Sequence, residues 1–156
     1  MLEINKKIPT TIAILNEKGQ EATLNEYLGQ PLIIYFYPKD NTAGCTLEAT
    51  LFKEHKHLFS EKGIRILGIS KDSVASHQKF KDKLSLNFEL LSDPNHKLQE
   101  AFGVWQEKRM MGKSYMGTVR STFLIDSKGK IKKVWPRVKP KDHIKDILSY
   151  LEQERI

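Results

Sequence analysis

The hydrophobic pattern is dominated by one continuous run of apolar, β-branched and aromatic residues, LIIYFY at 32–37. A run of this kind predicts a central strand that is buried on both faces of a sheet. Pro38 ends the run. The segment IRILGIS at 64–70 predicts a second buried strand, and FELLSDP at 88–94 predicts a shorter one that ends in a turn.

In the segments between these strands, apolar residues recur at the spacing of a helix. This spacing predicts a helix from Thr42 to Glu61, which Gly63 stops, and a helix from the capping residue Ser73 to about Leu84. A short helix is predicted for 95–102. A terminal amphipathic helix is predicted from four apolar residues at i, i+3, i+4 and i+7, namely Ile144, Ile147, Leu148 and Leu151.

The segment STFLIDSKGKIKKVW at 121–135 predicts a hairpin, because two strand-like runs flank the turn residues SKG. Strands that alternate with helices indicate a parallel portion of sheet covered on both faces, and the hairpin adds antiparallel strands at one edge. The predicted fold class is α/β, with a central mixed β-sheet flanked by helices and an N-terminal extension. By analogy this arrangement is a thioredoxin-like fold. Residues 104–105 begin another extended piece. Met110, Met111 and Met116 are placed in a loop, where the favoured interpretation is that they cover the substrate pocket and the alternative is that they contact a partner.

The composition is that of a soluble globular protein, with 39% hydrophobic and 29% charged residues in a chain of 156. This length predicts a single domain over 1–156. No apolar run approaches the roughly 20 residues of a membrane helix, so no membrane association is expected. The N-terminus lacks the pattern of a secretory signal, and one cysteine forms no internal disulfide, so a cytoplasmic location is expected.

The net charge of +7 is concentrated in one part of the chain. Residues 107–141 hold eleven Lys and Arg residues but only Glu107 and Asp126 as acidic residues, which gives a local net charge of +9. Such a run is usually a solvated face. The alternative is a surface for an anionic partner, although no nucleic-acid motif accompanies it and nucleic acid is not expected.

The single cysteine, Cys45, lies in the segment YFYPKDNTAGCTLEAT, directly after a predicted strand and at the predicted start of a helix. Unpaired backbone N–H groups and the helix dipole stabilise a thiolate at such a position. Gly44 permits close backbone approach, Thr42 offers a hydroxyl, and Pro38 shields one side. A free cysteine is more often a small buried hydrophobe. Its position after DNTAG, outside the apolar run, favours the reactive interpretation.

The segment FYPKDNTAGCTLEA resembles the active-site motif of peroxiredoxins, in which proline, threonine and the peroxidatic cysteine recur at the spacing of Pro38, Thr42 and Cys45. Further segments resemble the bacterioferritin comigratory protein (BCP), or PrxQ, branch of that family, in order and from about Pro9 to His143. These segments are GCTLEATLF, GIS.DS..SH..F, LLSD, FGVW and RSTFLID..GKI.

The resemblance implies a thiol-dependent peroxidase that reduces hydrogen peroxide and organic hydroperoxides for antioxidant defence. Cys45 corresponds to the cysteine that attacks the peroxide and becomes a sulfenic acid. Arg120 corresponds to the family arginine beside that cysteine, and Glu48 to a glutamate that orients the arginine. The peroxide is expected to contact four residues, namely Pro38, Thr42, Gly44 and Arg120.

Two departures from the family pattern change this expectation. The proline that usually follows the threonine is Ala43 here, which removes a fixed φ angle and adds an N–H group. Many members of the branch carry a resolving cysteine at the position of Thr50. Because Cys45 is the only cysteine, the chain resembles a one-cysteine peroxidase that needs an external thiol such as thioredoxin, glutaredoxin or a low-molecular-weight thiol.

Other activities have weaker support in the sequence. A dithiol oxidoreductase needs C-x-x-C, which is absent. His55 and His57 lie on different faces of one helix, no cluster of metal ligands is predicted, His77 is placed at a helix edge, and neither a cofactor nor a metal is expected. The remaining alternative is a non-enzymatic basic binding or holdase-like module that uses residues 107–141. A monomer is expected.

Overall fold

The computed structural model describes residues 1–155 of the chain. No helix within these residues is both long enough and apolar enough to cross a membrane. The elements follow in chain order as β1 (Ile14–Leu15), β2 (Glu21–Ala22), a 3₁₀-helix (Leu24–Tyr27), β3 (Leu32–Phe36), α1 (Ala43–Glu61), β4 (Arg65–Ser70), α2 (Val74–Leu84), β5 (Glu89–Ser92), α3 (Lys97–Phe102), β6 (Trp105–Met110), β7 (Lys113–Thr118), β8 (Ser121–Ile125), β9 (Ile131–Trp135) and α4 (His143–Gln153).

Seven of these strands form one mixed sheet in the order β2-β1-β5-β4-β3-β8-β9. The three central strands β3, β4 and β5 are parallel, as the alternation of strands and helices predicts. The β8–β9 hairpin lies antiparallel to β3 at one edge, so the predicted hairpin and its position are confirmed. The N-terminal extension supplies β1 and β2, which add antiparallel strands at the opposite edge.

The central strand β3 is buried along its whole length because both faces of the sheet are covered. Ile33 and Tyr35 pack against the layer formed by α1, α2 and α4. Leu32, Ile34 and Phe36 belong to a second apolar cluster, which includes residues of the 3₁₀-helix and α3. Removal of these large side chains from water is the main term that stabilises the sheet.

Helix ends follow the predicted signals. Ser73 caps α2 by accepting a hydrogen bond from the backbone N–H of Ser76 at 3.1 Å. Helix α1 ends at Glu61, and Gly63 beyond it takes the positive φ of +70° that glycine adopts without strain.

The extended piece predicted to begin at 104–105 is confirmed, since β6 begins at Trp105. The predicted loop with the three methionines is wrong, because these residues belong to a β6–β7 hairpin. Met110 and Met116 lie in its strands β6 and β7. Met111 and Gly112 form the connecting turn, where both residues have positive φ angles. The methionines do not cover a pocket, since their exposed fractions are 62%, 96% and 52% in chain order. These two strands are mostly exposed, so they lack the apolar alternation by which a strand is recognised.

Candidate active site

Cys45 lies in the first turn of α1, at the carboxyl edge of the central strand. The chain leaves β3 at Phe36 and enters α1 at Ala43, with Thr42 as the N-cap in extended conformation. The first N–H groups of a helix have no partner within it, so they point at whatever occupies this end. Cys45 is 1% exposed, so its sulfur is enclosed. The predicted helix start and the position of the thiol are confirmed.

Arg120 reaches Cys45 because of the register between β3 and β8. Phe36 pairs with Ser121 in the antiparallel ladder, so the residue before β8 lies beside the residues that follow β3. The Nη2 group of Arg120 donates to Cys45 Sγ at 3.3 Å. A guanidinium at this distance stabilises a thiolate and any negative charge that develops beside it.

Glu48 holds the other side of the same guanidinium. It lies three residues after Cys45 on one face of α1, and its Oε1 accepts from Arg120 Nη1 at 2.7 Å. The carboxyl is 1% exposed, and burial raises its pKa to about 7, although the charge and hydrogen bond of Arg120 act in the opposite direction. Its Oε2 atom is buried and has no hydrogen-bond partner among the described residues.

The charges of Glu48 and Cys45 in turn act on Arg120. Burial alone lowers the pKa of the guanidinium, but the two neighbouring acceptors outweigh burial, and the pKa is raised. Arg120 is therefore a permanent cation that is fixed between a carboxylate and a sulfur. The fork geometry of guanidinium permits this double contact, which a lysine ammonium could not reproduce with the same directions.

The remaining predicted residues surround the helix start. A Cβ atom at Gly44 would lie 3.1 Å from Arg120 Nη2 and 3.6 Å from Pro140 Cγ, so glycine here lets the guanidinium lie close to the backbone. Thr42 is exposed, and its hydroxyl donates to the Lys39 carbonyl at 2.9 Å. Pro38 is half-buried.

Comparison with known proteins shows to which family the chain with this arrangement of a cysteine, an arginine and a glutamate belongs. The sequence matches the AhpC/TSA family over residues 4–134. The chain belongs to this family. Within it, the chain is similar to peroxiredoxin Bcp of Bacillus subtilis, with 46% identity over 151 residues that cover 97% of this chain and 96% of the relative. Peroxiredoxin Bcp of Escherichia coli is 38% identical over 146 residues and 94% of each chain.

Solved structures agree with this assignment. The bacterioferritin comigratory protein of Xanthomonas campestris, described with its alkyl peroxide reduction activity, superimposes with a TM-score of 0.89 at 37% identity over 97% of this chain and 99% of that one. The PrxQ C-to-S mutant of Xylella fastidiosa gives a TM-score of 0.92 at 33% identity over 100% and 99%. The predicted thioredoxin-like fold and the Bcp/PrxQ branch are therefore confirmed.

Lys108 and His143 border this peroxiredoxin site, and the sequence did not indicate either residue. Lys108 Nζ donates to the Thr118 carbonyl at 2.8 Å, and burial and the like charge of Arg120 lower the pKa of its ammonium while Cys45 raises it. His143 Nε2 lies 2.6 Å from Thr122 Oγ1, and burial together with Arg120 lowers the pKa of His143 to about 4. The imidazole is therefore neutral at pH 7 and adds no repulsion toward the guanidinium.

A buried network also anchors the loop that precedes α1. Asp40 accepts from the Tyr37 hydroxyl at 2.6 Å and the Ser76 hydroxyl at 2.8 Å, and its Oδ2 lies 2.7 Å from His77 Nδ1. His77 Nε2 lies 3.0 Å from the Leu91 carbonyl, which only accepts, so this nitrogen carries a hydrogen. His77 is 3% exposed and therefore buried, whereas the sequence pattern predicted a position at the edge of a helix.

Asp40, Asp72 and His77 also form a cluster whose ligand-type atoms lie within 4.8 Å of one another, although no such cluster was predicted. Protein donors already occupy these atoms. Asp72 Oδ2 accepts from the Asp40 backbone N–H at 2.9 Å and from the Ser70 hydroxyl at 2.6 Å. The cluster is therefore explained as a hydrogen-bonded anchor.

Apart from Arg120, the basic residues of 107–141 are distributed over three parts of the structure. One group lies on the β6–β7 hairpin, a second lies on the β8–β9 turn and on β9, and a third lies in the segment before α4. In the antiparallel ladder Leu32 pairs with Ile125, so the β8–β9 turn is at the end of the sheet away from Cys45. This separation does not favour a binding module that uses 107–141 as one face.

Proposed function

We propose that Cys45 is the peroxidatic cysteine of a thiol-dependent peroxidase of the Bcp/PrxQ branch. The observation that carries this proposal is the donation from Arg120 Nη2 to Cys45 Sγ at 3.3 Å, at the N-terminus of α1. Helix dipole, unpaired N–H groups and guanidinium all act on the same sulfur. The two Bcp relatives above carry the name peroxiredoxin, which supports the same activity for this chain.

The reaction begins with a nucleophilic attack on a hydroperoxide. The Cys45 thiolate attacks the terminal oxygen, which carries the hydrogen; an S–O bond forms, and the O–O bond breaks. Cysteine becomes a sulfenic acid, and the second oxygen leaves as an alkoxide or hydroxide that is protonated to alcohol or water. Arg120 stabilises the negative charge that moves from sulfur to the leaving oxygen.

The substrate-binding roles belong to this proposal as well. The Thr42 hydroxyl is exposed at the N-cap, one turn from the sulfur. When the peroxide binds, this hydroxyl turns its hydrogen from the Lys39 carbonyl to the peroxide. The N–H groups of Gly44 and Cys45, in the first turn of α1, hold the second oxygen. Half-buried Pro38 shields the thiolate on one side. Glu48 fixes the orientation of Arg120 through the 2.7 Å contact.

Regeneration of Cys45 requires a thiol from another molecule, because the chain has no second cysteine. Thioredoxin, glutaredoxin and low-molecular-weight thiols are the candidate reductants. We further propose that residues 1–156 form one peroxiredoxin domain that acts as a monomer in the cytoplasm. The single seven-stranded sheet supports the assignment of one domain.

Stopped-flow oxidation of the reduced protein by hydrogen peroxide tests the proposed roles. Cys45→Ser should abolish peroxide consumption under dithiothreitol, and the wild type should yield a trapped sulfenic-acid adduct on Cys45 by mass spectrometry. Thr42→Val should slow oxidation about 100- to 1,000-fold, the usual effect of losing one transition-state donor. Thr46→Val, one turn further along α1, is the matched control and should react like the wild type. Equal rates for Thr42→Val and the wild type would remove Thr42 from the mechanism.

A further inference from the structure

The two faces of the β6–β7 hairpin have different surroundings. Successive side chains on a strand point to opposite faces, and cross-strand partners share a face. The register pairs Lys108 with Tyr115 and Met110 with Lys113. We call the face with these four residues the active-site face. The opposite, or rear, face carries the pairs Glu107–Met116 and Arg109–Ser114.

The base of the rear face packs against the segment that contains α3. The Trp105 ring stacks on His96 with centroids 4.0 Å apart and an interplanar angle of 4°. Thr118, the cross-strand partner of Trp105, hydrogen-bonds Gln99. These contacts fix how the hairpin is oriented on the protein.

The active-site face borders Cys45 at Lys108. The Lys108 ammonium donates to Thr118, two residues before Arg120, and it lies within electrostatic range of both Arg120 and Cys45. Beyond Lys108 the face is exposed, with Met110 at 62% and Tyr115 at 43%. Four of the seven exposed large hydrophobic residues within 1–155 lie between positions 110 and 116 of this hairpin.

Charge on both sides of the site is predominantly positive, with Asp142 at the start of α4 as the acidic exception. The active-site face holds two lysines and no carboxylate, because Glu107 lies on the rear face. Across the site, the segment before α4 presents exposed Arg137, Lys139 and Lys141. That segment is tied to the site, since the Val138 N–H donates to the Arg120 carbonyl at 2.8 Å and Pro140 lies beside Gly44.

We propose that the active-site face of the hairpin is the docking surface for the reductant, and that this reductant is an acidic protein dithiol with an apolar surface around its thiol. The inference rests on the proposed peroxidase function. Six residue pairs extend about 17 Å from base to tip, which is longer than a small thiol. Unbranched methionines adapt to a partner surface. Two copies of this basic face would repel each other.

Docking on this surface brings the dithiol to the oxidised sulfur. One thiolate of the partner attacks the sulfur of the Cys45 sulfenic acid, an S–S bond forms, and hydroxide leaves as water after protonation. The second thiolate then attacks the partner's sulfur in the mixed disulfide, which releases the Cys45 thiolate. The partner loses two electrons and leaves as a disulfide.

A pair of matched double variants tests the surface. Met110→Ser with Lys113→Glu changes the active-site face, and Arg109→Glu with Met116→Ser makes the same chemical changes on the rear face of the same hairpin. Each protein is oxidised with one equivalent of hydrogen peroxide and then mixed with a thioredoxin of net negative charge or with uncharged dithiothreitol. The active-site-face variant should be reduced at least about tenfold more slowly by thioredoxin, and 1 M salt should narrow the difference. The rear-face variant should match the wild type, and dithiothreitol should reduce all three proteins at similar rates.

Three results would overturn the inference. The first is an equal loss in both double variants, and the second is no loss in either. The third is co-sedimentation with vesicles of anionic phospholipid that only the active-site-face variant loses, while its reduction by thioredoxin is unchanged. Failure of the proposed function looks different, because the wild type would then consume no peroxide even with dithiothreitol.

Discussion

Arg120 is the residue on which two buried acceptors depend. It is the cation beside Cys45 Sγ, and it is the hydrogen-bond partner of the buried Glu48. Arg120→Met keeps most of the volume and removes the charge. We expect oxidation of Cys45 by hydrogen peroxide to slow about 100- to 1,000-fold, because one transition-state donor is lost.

Arg109→Met is the control for this substitution, since Arg109 is exposed on the rear face of the hairpin. It should leave the stopped-flow oxidation rate unchanged. A rate for Arg120→Met within threefold of the wild type would mean that the helix N-terminus alone activates the thiol.

Because Glu48 is buried, we expect the free energy of unfolding to depend on pH. Burial raises its folded pKa from 4.5 to about 7, so between these two values the folded protein binds a proton that the unfolded chain has released. Stability should therefore fall as pH rises from about 4.5 to about 7. Once Glu48 is fully ionised, the free energy of unfolding should be lower by about 3 kcal/mol.

Urea unfolding of wild type and Glu48→Gln at pH 5, 6, 7 and 8 measures this effect. The glutamine variant should gain stability relative to the wild type as pH rises, because it has no proton to release. A constant difference across the series would show that Arg120 holds Glu48 ionised throughout.

The sequence predicted correctly the position of those residues of the site that belong to one short motif. Cys45 and Thr42 belong to one segment, and the resemblance to the family placed Arg120 and Glu48 beside them. The residues that were missed, such as Lys108 and His143, act through hydrogen bonds and burial. Hydrophobic periodicity records neither property, and the partners of these residues lie on other elements of the fold.

The first turns of α1 decide whether a second cysteine could take part in the cycle. Cys45 and Thr50 lie on one continuous helix, and five residues correspond to about 7.5 Å along its axis. This separation exceeds the usual Cα distance of a disulfide. Thr50→Cys should nevertheless form a 45–50 disulfide after one equivalent of peroxide, through unwinding of the helix start.

Disulfide mapping by mass spectrometry detects this product, and the variant Cys45→Ser with Thr50→Cys is the control that must not form it. Over-oxidised Cys45 without a disulfide would show that α1 stays wound on the timescale of the reaction. The enclosed Arg120–Glu48 contact would then be the leading explanation for that rigidity.

The Asp40 network joins the loop before α1 to helix α2. Asp40→Ala would leave the Tyr37 and Ser76 hydroxyls without their acceptor and His77 Nδ1 without its partner. Loss of one partner from such a buried cluster typically costs about 3–5 kcal/mol. We expect a lower free energy of unfolding by this amount, with Asp82→Ala on the exposed surface of α2 as the control. A cost below 1 kcal/mol would mean that the loop is held by other contacts.

At the scale of elements, apolar pattern located the strands and helices of the main sheet to within a few residues. It located only the start of β6 and missed β7 and the hairpin, because an exposed hairpin buries too little to impose an apolar face. Only its turn, where Met111 and Gly112 adopt positive φ, defines it locally. Sequence reasoning therefore works where burial selects the residue type and fails where it does not.

The whole molecule carries a net charge of +7. The distance of each cation from Cys45 determines whether it affects the active site. Within the β8–β9 region, Lys133 is packed over the Trp135 and Tyr150 rings, so reversing its charge would also disturb packing. Lys128 and Lys130 are exposed in the turn at the far end of the sheet, which makes them the cleaner probes.

Lys128→Glu with Lys130→Glu should leave the oxidation of Cys45 by hydrogen peroxide within about twofold of the wild type. The substrate is neutral, so long-range charge neither attracts nor repels it. The turn also follows the end of β8 that pairs with Leu32, four residues along β3 from Phe36, or about 13 Å, which exceeds the Debye length of about 10 Å at 0.1 M salt. Stopped-flow measurements of the Cys45 oxidation rate at 0.01 M and 0.1 M salt test both the neutrality of the substrate and the screening of the distant charges. A loss of tenfold or more at 0.1 M salt would show that the distant cations shape the active site itself, for example by holding β8 and Arg120 in register with β3.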